Sequence, residues 1–254
     1  MPNWVLMGLR SGVKTTGYPN RAETSPGLSP GRPSAILPID PDSRAAVSAI
    51  CPTKAIHRSE NRIIVDYKRC IHCFRCLRQI TQGLDHELSY EWALEADGVP
   101  MPPMGKSFTR SIHIRIVDAG ACRACLSEIE QLGKPYYNIH RLGFFITPTP
   151  RQADVLLVAG PVTDNMKLSL QKAYDAMPTP KRVIAVGACA LSGGIFGPSF
   201  TSCGGVEDVM PVDVMVPGCP PPPLALIHGL LAVAGRGNSI TNEGAPLVNG
   251  SVTK

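Results

Sequence analysis

The sequence predicts an α/β chain: a parallel sheet covered by helices over residues 111–240, preceded by a small cysteine-bearing module over residues 46–80. Three observations lead there. From residue 111 onward strand-like apolar runs alternate with helix-like runs, and that alternation builds a parallel sheet covered on both faces. The nine cysteines divide into a tight group before residue 80 and a dispersed group after residue 120. Glycines and prolines gather around the dispersed cysteines, where tight loops would follow strands.

Taken in order, residues 1–45 are rich in Pro, Gly, Ser and Thr, apart from an apolar opening from Trp4 to Arg10 long enough for one or two amphipathic turns. They are expected to form an extended arm lying on another surface. Residues 81–110 are irregular and end in Pro100-Met101-Pro102-Pro103, which suggests a linker. Beyond it the pattern gives strands at 112–117, 154–159, 182–186 and 212–216, and helices at 124–132, 166–177 and 223–233. Residues 241–254 read as a tail.

With 254 residues, 44% hydrophobic and 18% charged, the chain can bury one core plus a small appendage, which excludes a wholly disordered protein. The opening shows no basic segment followed by an apolar one, so a reducing cytoplasm is expected rather than a disulfide setting. No run reaches the roughly 18 apolar residues of a membrane span. The formal charge of +5 counts cysteines as neutral. Thiolates holding a metal would lower it, so nucleic acid is not an expected partner.

The tight group has a recognisable grammar. Bacterial ferredoxins repeat C-x-x-C-x-x-C-x-x-x-C-P, and the fourth cysteine of each repeat ligates the other repeat's cluster. One cluster is therefore built by C-P, a hairpin, then C-x-x-C-x-x-C. This chain has that unit alone: Cys51-Pro52, a turn near Ser59-Glu60-Asn61, a strand at 63–66, then Cys70, Cys73 and Cys76. The ligands of the second ferredoxin cluster are missing on both sides. A structural zinc could use the same thiolates, but zinc sites usually pair two C-x-x-C units. His57 and His72 lie close by, and with four thiolates present they are expected to be bystanders.

The dispersed group sits just past strand ends: Cys122 and Cys125 after the strand at 112–117, Cys189 after the strand at 182–186, and Cys219 after the strand at 212–216. In an open parallel sheet these carboxyl ends line one edge, and ligands bind in the crevice there. Four thiolates remote in sequence can thus converge on a second 4Fe-4S cluster. Four buried structural cysteines are the alternative reading. Cys203 is either a spare thiol or a substitute for Cys189, with the strand-end position favouring Cys189. Flavin is disfavoured, because the strand-end loops carry cysteines instead of a phosphate-cradling turn.

The residues Cys122-Arg-Ala-Cys125-Leu-Ser-Glu128, Pro150 to Leu156, Ala185-Val186-Gly187-Ala188-Cys189 with Gly193-Gly194, and Pro211 to Pro221 resemble the small subunit shared by complex I and membrane-bound, energy-converting nickel-iron hydrogenases, including formate hydrogenlyase. The resemblance covers residues 111–235. It implies a flavodoxin-like fold, an electron-transfer role without bond chemistry, and a large catalytic subunit as partner. Membrane-arm subunits and a further ferredoxin-like subunit are also implied, at the cytoplasmic side of the cell membrane. Complex I members carry adjacent cysteines at the first ligand pair, whereas Cys122 and Cys125 are spaced as in the hydrogenase branch; a quinone oxidoreductase is the alternative. Residues 8–19 are similar to the start of the ferredoxin-like subunit of the same complexes. Glu128 and Arg141 match family residues expected near the large-subunit interface, although a glutamate in the first turn of a helix would also be stabilised by the helix dipole.

Overall fold

A computed structural model describes residues 3–23, 25–35, 48–59, 62–79, 84–95, 104–105, 108 and 110–236. The expected tail, the proline run at 100–103 and the turn residues Glu60 and Asn61 lie outside them. The described elements are α1 (Asn3–Ser11), β1 (Arg32–Ala35), β2 (Ile56–Ser59), β3 (Arg62–Val65), α2 (Arg75–Gln79), β4 (Leu84–Glu87), β5 (Leu94–Glu95) and β6 (Ile112–Asp118). They continue with α3 (Ala124–Gln131), β7 (Phe144–Ile146), β8 (Val155–Ala159), α4 (Asp164–Asp175), β9 (Arg182–Val186), α5 (Gly187–Ser192), β10 (Val214–Val216) and α6 (Pro223–Val233).

The main sheet runs β5-β10-β9-β8-β6-β7. Its five strands from β6 onward pair in parallel, and β5 joins β10 antiparallel at the edge. Counted from β6, the parallel strands stand in the order 2-1-3-4-5, the flavodoxin-like winding. The sequence explains the layering. Strands β8 and β10 are buried at every position, as expected of central parallel strands covered on both faces. The α6 sequence PLALIHGLLAV is apolar all round and is correspondingly buried. One core cluster includes Ile112, Leu157, Ile184 and Leu230, and a second includes Leu156, Val158, Leu170 and Met215. Alternate residues of β8 thus feed opposite faces of the sheet.

The boundaries that moved have local causes. Strand 212–216 shortens to Val214–Val216 because Asp213 spends its carboxylate on the Val183 amide at 2.7 Å and on Arg182 at 2.8 Å. The strand β7 was not expected. It has three residues and starts straight after Gly143.

The described residues of the arm and of the stretch at 81–110 pack on the rest of the chain. Strand β1 pairs with β4, and Arg32 grips Glu87 through two hydrogen bonds of 2.9 and 3.0 Å. Tyr18, Tyr90, Trp92 and Met104 join the first core cluster. Thr16 donates its amide to the Tyr136 carbonyl at 2.8 Å, and Arg141 donates to the Tyr18 carbonyl. The surface on which the arm lies is therefore this chain's own α/β domain. Helix α1 differs: it has no buried residue, and Trp4, Met7 and Leu9 are exposed.

Candidate metal centres

The first cysteine group lies around a small hairpin. Strands β2 and β3 pair antiparallel with Ile56 opposite Val65, and Ile56, Ile63 and Cys76 form a miniature core. Cys51, Cys70, Cys73 and Cys76 line one cavity at its end. The loops aim backbone N–H groups at sulfur: Ala55 donates to Cys51 Sγ at 3.2 Å. Burial pushes the Cys70 thiol up to about 12, and the other three thiols add to it. Cys76 is raised for the same first reason. Thiols so placed keep their protons until a metal displaces them.

The dispersed cysteines converge from three loops. Asp118, at the end of β6, accepts from the amides of Gly120 (2.9 Å) and Ala121 (2.7 Å), and this Asx turn aims the chain at Cys122. Cys189 sits in α5, directly after β9, and the Ala188 amide donates to the Gly218 carbonyl at 2.8 Å beside Cys219. At Gly187 the backbone has φ +84, and a Cβ there would stand 2.6 Å from Cys125 Sγ and 3.4 Å from the Gly218 carbonyl oxygen. At Gly194, φ +61, it would stand 2.9 Å from Cys189 Sγ. Burial raises Cys125 to about 12, with Cys219, Cys189 and Cys122 adding to the shift, and raises Cys189 to about 11, with Cys219 and Cys122 adding. Each of the four is thus within electrostatic reach of its fellows.

The donor sets suit iron-sulfur clusters. Both are all-thiolate, and thiolates favour Fe–S or zinc. The backbone also fits a clamp. Lys54, His72, Phe74 and Arg123 have positive φ, and each lies within three residues of one of these cysteines. Such conformations cost about 1–3 kcal/mol each and gather where a ligand is gripped.

Cys203 faces elsewhere. Its Sγ donates to Asp164 Oδ1 at 3.5 Å, and its raised pKa comes from burial and from Asp164, not from a cysteine. His57 is exposed on β2. Among the described residues no helix is long and apolar enough to cross a membrane.

Residues 122–233 match the family described as NADH ubiquinone oxidoreductase, 20 Kd subunit. An uncharacterized protein of Methanocaldococcus jannaschii is 49% identical over 125 residues, which cover 49% of this chain and 84% of that one. The chain belongs to this 20 Kd subunit family. Formate hydrogenlyase subunit 7 of Escherichia coli is 37% identical over 153 residues, 56% of this chain and 60% of that protein. A chain in the structure of a membrane-bound sulfane sulfur reductase, an archaeal respiratory membrane complex, aligns with TM-score 0.44 and 30% identity, covering 51% of this chain and 74% of that one. The match to the 20 Kd family begins at Cys122, so it spans the dispersed quartet and leaves the hairpin module outside it.

The structure corrects one detail, the helix position of Glu128, and gives Arg141 a contact within the chain. Glu128 is the fifth residue of α3, not in its first turn. Helix-dipole stabilisation therefore gives way to burial, which raises its pKa. Arg141 ties the arm to the domain through Tyr18. His72, expected to be a bystander, is 8% exposed and lines a cavity together with Cys219. Nothing in a local motif relates a ferredoxin-like loop to a residue 147 positions further on, the difference between 219 and 72.

Proposed function

We propose that this chain is the electron-transfer iron-sulfur subunit of a multisubunit, membrane-associated hydrogenase-like complex, carrying two 4Fe-4S clusters. The gathering of eight cysteines into two all-thiolate quartets, one per module, supports this reading above any other single observation. One cluster would be held by Cys51, Cys70, Cys73 and Cys76, the other by Cys122, Cys125, Cys189 and Cys219. When bound, each supplies a one-electron couple somewhere in the roughly −700 to +450 mV range of such clusters.

The chain's own residues do the tuning and the insulation. Backbone N–H groups aimed at sulfur, such as that of Ala55, stabilise the reduced form, while burial of Cys70 and Cys125 disfavours added negative charge. Lys54, Arg69, Arg75 and Arg78 surround the first quartet but are exposed, so their effect is screened by salt. The partners proposed are a large catalytic subunit, membrane-arm subunits and a further ferredoxin-like subunit, at the cytoplasmic face of the membrane. Kinship with formate hydrogenlyase subunit 7 favours nickel-iron chemistry in that large subunit. The family description favours quinone as a second reading; a co-purifying large subunit without nickel-binding cysteine pairs would decide for it.

Iron and sulfide analysis with EPR on the reduced protein tests the core of the proposal. About eight irons and two distinct signals per chain are expected. Bound zinc, or one cluster, refutes it. Cys189→Ser should abolish the second signal, and Cys203→Ser should leave it; the reverse pattern would move the fourth ligand to Cys203.

A further inference from the structure

An open groove of about 730 Å³ lies where the turn at 139–143 meets the end of α6, and its walls include Arg110, His140, Arg141, Phe145, Leu231 and Arg236. Three guanidinium groups share it, and its walls hold no Asp or Glu. Among the described residues none of the three makes an ion pair. Two of them are held by carbonyls instead. Arg141 donates to Tyr18 and Tyr137, and Arg236 donates to Leu142 and Phe108 while its Cζ stands 4.9 Å from the centroid of the Phe144 ring. Carbonyls and a ring fix a guanidinium in place without cancelling its charge. Arg236 Nε is sealed in the wall, so this residue serves the groove chiefly by its charge. Arg110 is exposed, and its side chain makes no hydrogen bond among the described residues.

This arrangement is costly while the groove is empty of anions. Burial lowers the pKa of Arg141 and Arg236, so their charge is held where water solvates it less. Arginine stays charged nonetheless, and three like charges around one groove repel. An anion relieves both effects through charge-assisted hydrogen bonds, and the guanidinium fork fits phosphate and carboxylate oxygens. Phosphate presents oxygens on several sides, so more than one guanidinium can grip it, whereas a carboxylate presents both of its oxygens in one plane. The rim also suits the organic part of a phosphate ester. Phe145 is 37% exposed and lies between the rings of His113 and His140, with centroids 5.8 and 5.4 Å away. The arm reaches the groove at Pro19 and begins in α1, whose Trp4, Met7 and Leu9 are exposed. Residues 1–22 contain Arg10, Lys14 and Arg21 and no Asp or Glu. A basic segment with exposed apolar side chains favours an anionic lipid surface as the source of the phosphate.

We propose that this groove binds a phosphate group, supplied by an anionic lipid headgroup or by free phosphate, with Arg110, Arg141 and Arg236 as its counter-charges. None of the eight quartet cysteines lines the groove, so the inference is independent of the two-cluster reading.

Isothermal titration of the whole chain with inorganic phosphate at constant ionic strength tests it, and one saturable site is expected. Arg110→Gln removes an exposed side chain without internal hydrogen bonds, so it should fold as the parent does and weaken phosphate binding about tenfold. Arg110→Glu should abolish the binding. Lys172→Gln is the charge control. Lys172 is exposed on α4, whose Leu170 belongs to the second core cluster, whereas Phe144 and Leu231 beside the groove belong to the first. The control thus removes the same charge from the other face of the sheet and should leave the affinity unchanged. Sedimentation with phosphatidylglycerol vesicles, compared with phosphatidylcholine vesicles, distinguishes the sources. Binding to the anionic vesicles that Arg110→Gln weakens and Lys172→Gln spares assigns the site to a lipid headgroup. Phosphate binding combined with vesicle binding that is equal in parent and Arg110→Gln assigns it to free phosphate. Equal losses in Arg110→Gln and Lys172→Gln overturn the inference, as does the absence of both saturable phosphate binding and Arg110-dependent vesicle binding. A glutamate-rich peptide that binds through Arg110 where neither phosphate nor vesicles do also overturns it, since the groove would then take a partner's carboxylate.

Discussion

Replacing Gly187 with alanine should empty the second centre while sparing the first. The added Cβ would stand 2.6 Å from Cys125 Sγ, 3.4 Å from the Gly218 carbonyl oxygen and 3.7 Å from Pro221 Cδ. Ordinary nonbonded contacts settle near 3.5–4.0 Å, so the Cys125 sulfur has to give way by about 1 Å. Two costs add. Alanine at φ +84 pays about 1–2 kcal/mol for the left-handed backbone, and overpacking a tight site pays about 1–3 kcal/mol more. The sum, about 2–5 kcal/mol, falls on the loop that presents Cys125, and a displaced sulfur is the worse penalty because a cluster tolerates little misplacement of its ligands. Iron per chain, measured on reconstituted protein, should drop from about eight to about four, with the first EPR signal intact. Gly197→Ala is the control: Gly197 has φ +65 but open space around the built Cβ, so it carries the backbone cost without the clash and should keep both clusters. Full iron content and an unchanged second signal in Gly187→Ala would refute the cradle.

Other outcomes follow from individual contacts. Arg78 is exposed and donates to the Cys73 carbonyl at 2.9 Å; Arg78→Gln should move the first potential slightly negative at low salt, and the difference should fade as ionic strength rises. His228 is buried as a hydrogen-bond acceptor for Ala93, and burial lowers its pKa. The unfolded chain therefore takes up a proton below about pH 6.5 that the folded chain refuses, and stability should fall as pH drops through that range. His228→Asn keeps an acceptor and should flatten the Tm-against-pH curve between pH 7 and 5 relative to the parent; parallel curves would show that another group carries the effect. Glu87, lowered on balance by its pairing with Arg32 despite the opposing effect of burial, contributes above its unfolded pKa and loses that contribution in acid. Glu87→Gln should lower the unfolding free energy from urea titration at pH 7 by less than about 1 kcal/mol given its exposure, and the difference should shrink toward pH 4.

Much of the α/β half was legible because its strands are continuous apolar runs. Residues 182–186 and 223–233 were bounded as the structure has them, since Lys181 and Gly187 flank one run and Pro223 opens the other. The convergence of Cys122, Cys125, Cys189 and Cys219 was legible through topology: strand ends of a parallel sheet share an edge, whatever their distance in sequence. Less legible was everything held by pairing between distant short segments. Leu94–Glu95 is two residues long, yet it extends the main sheet by pairing with Val214 and Met215. Arg32–Ala35 includes a proline and reads as arm, yet pairs with Leu84–Glu87 across a separation that no periodicity encodes. Their strand character comes from partners and burial, which a local window does not contain.

The same reasoning explains what residues 84–95 contribute. Trp92 is 1% exposed. It takes His72 from the hairpin module on its face, while Ala93 beside it holds His228 on the helix behind Cys219. Lys68, two residues before Cys70, accepts from Ser192 Oγ through its carbonyl at 3.0 Å, three residues after Cys189. The modules therefore meet through residues adjacent to their cysteines, and a change that loosens this junction acts on both centres at once. A flexible tether would have let each centre sit wherever its partners placed it. Packing at Trp92 and Ser192 instead fixes one separation, and electron transfer, which falls steeply with distance, is the function that gains most from having that separation built into a single chain.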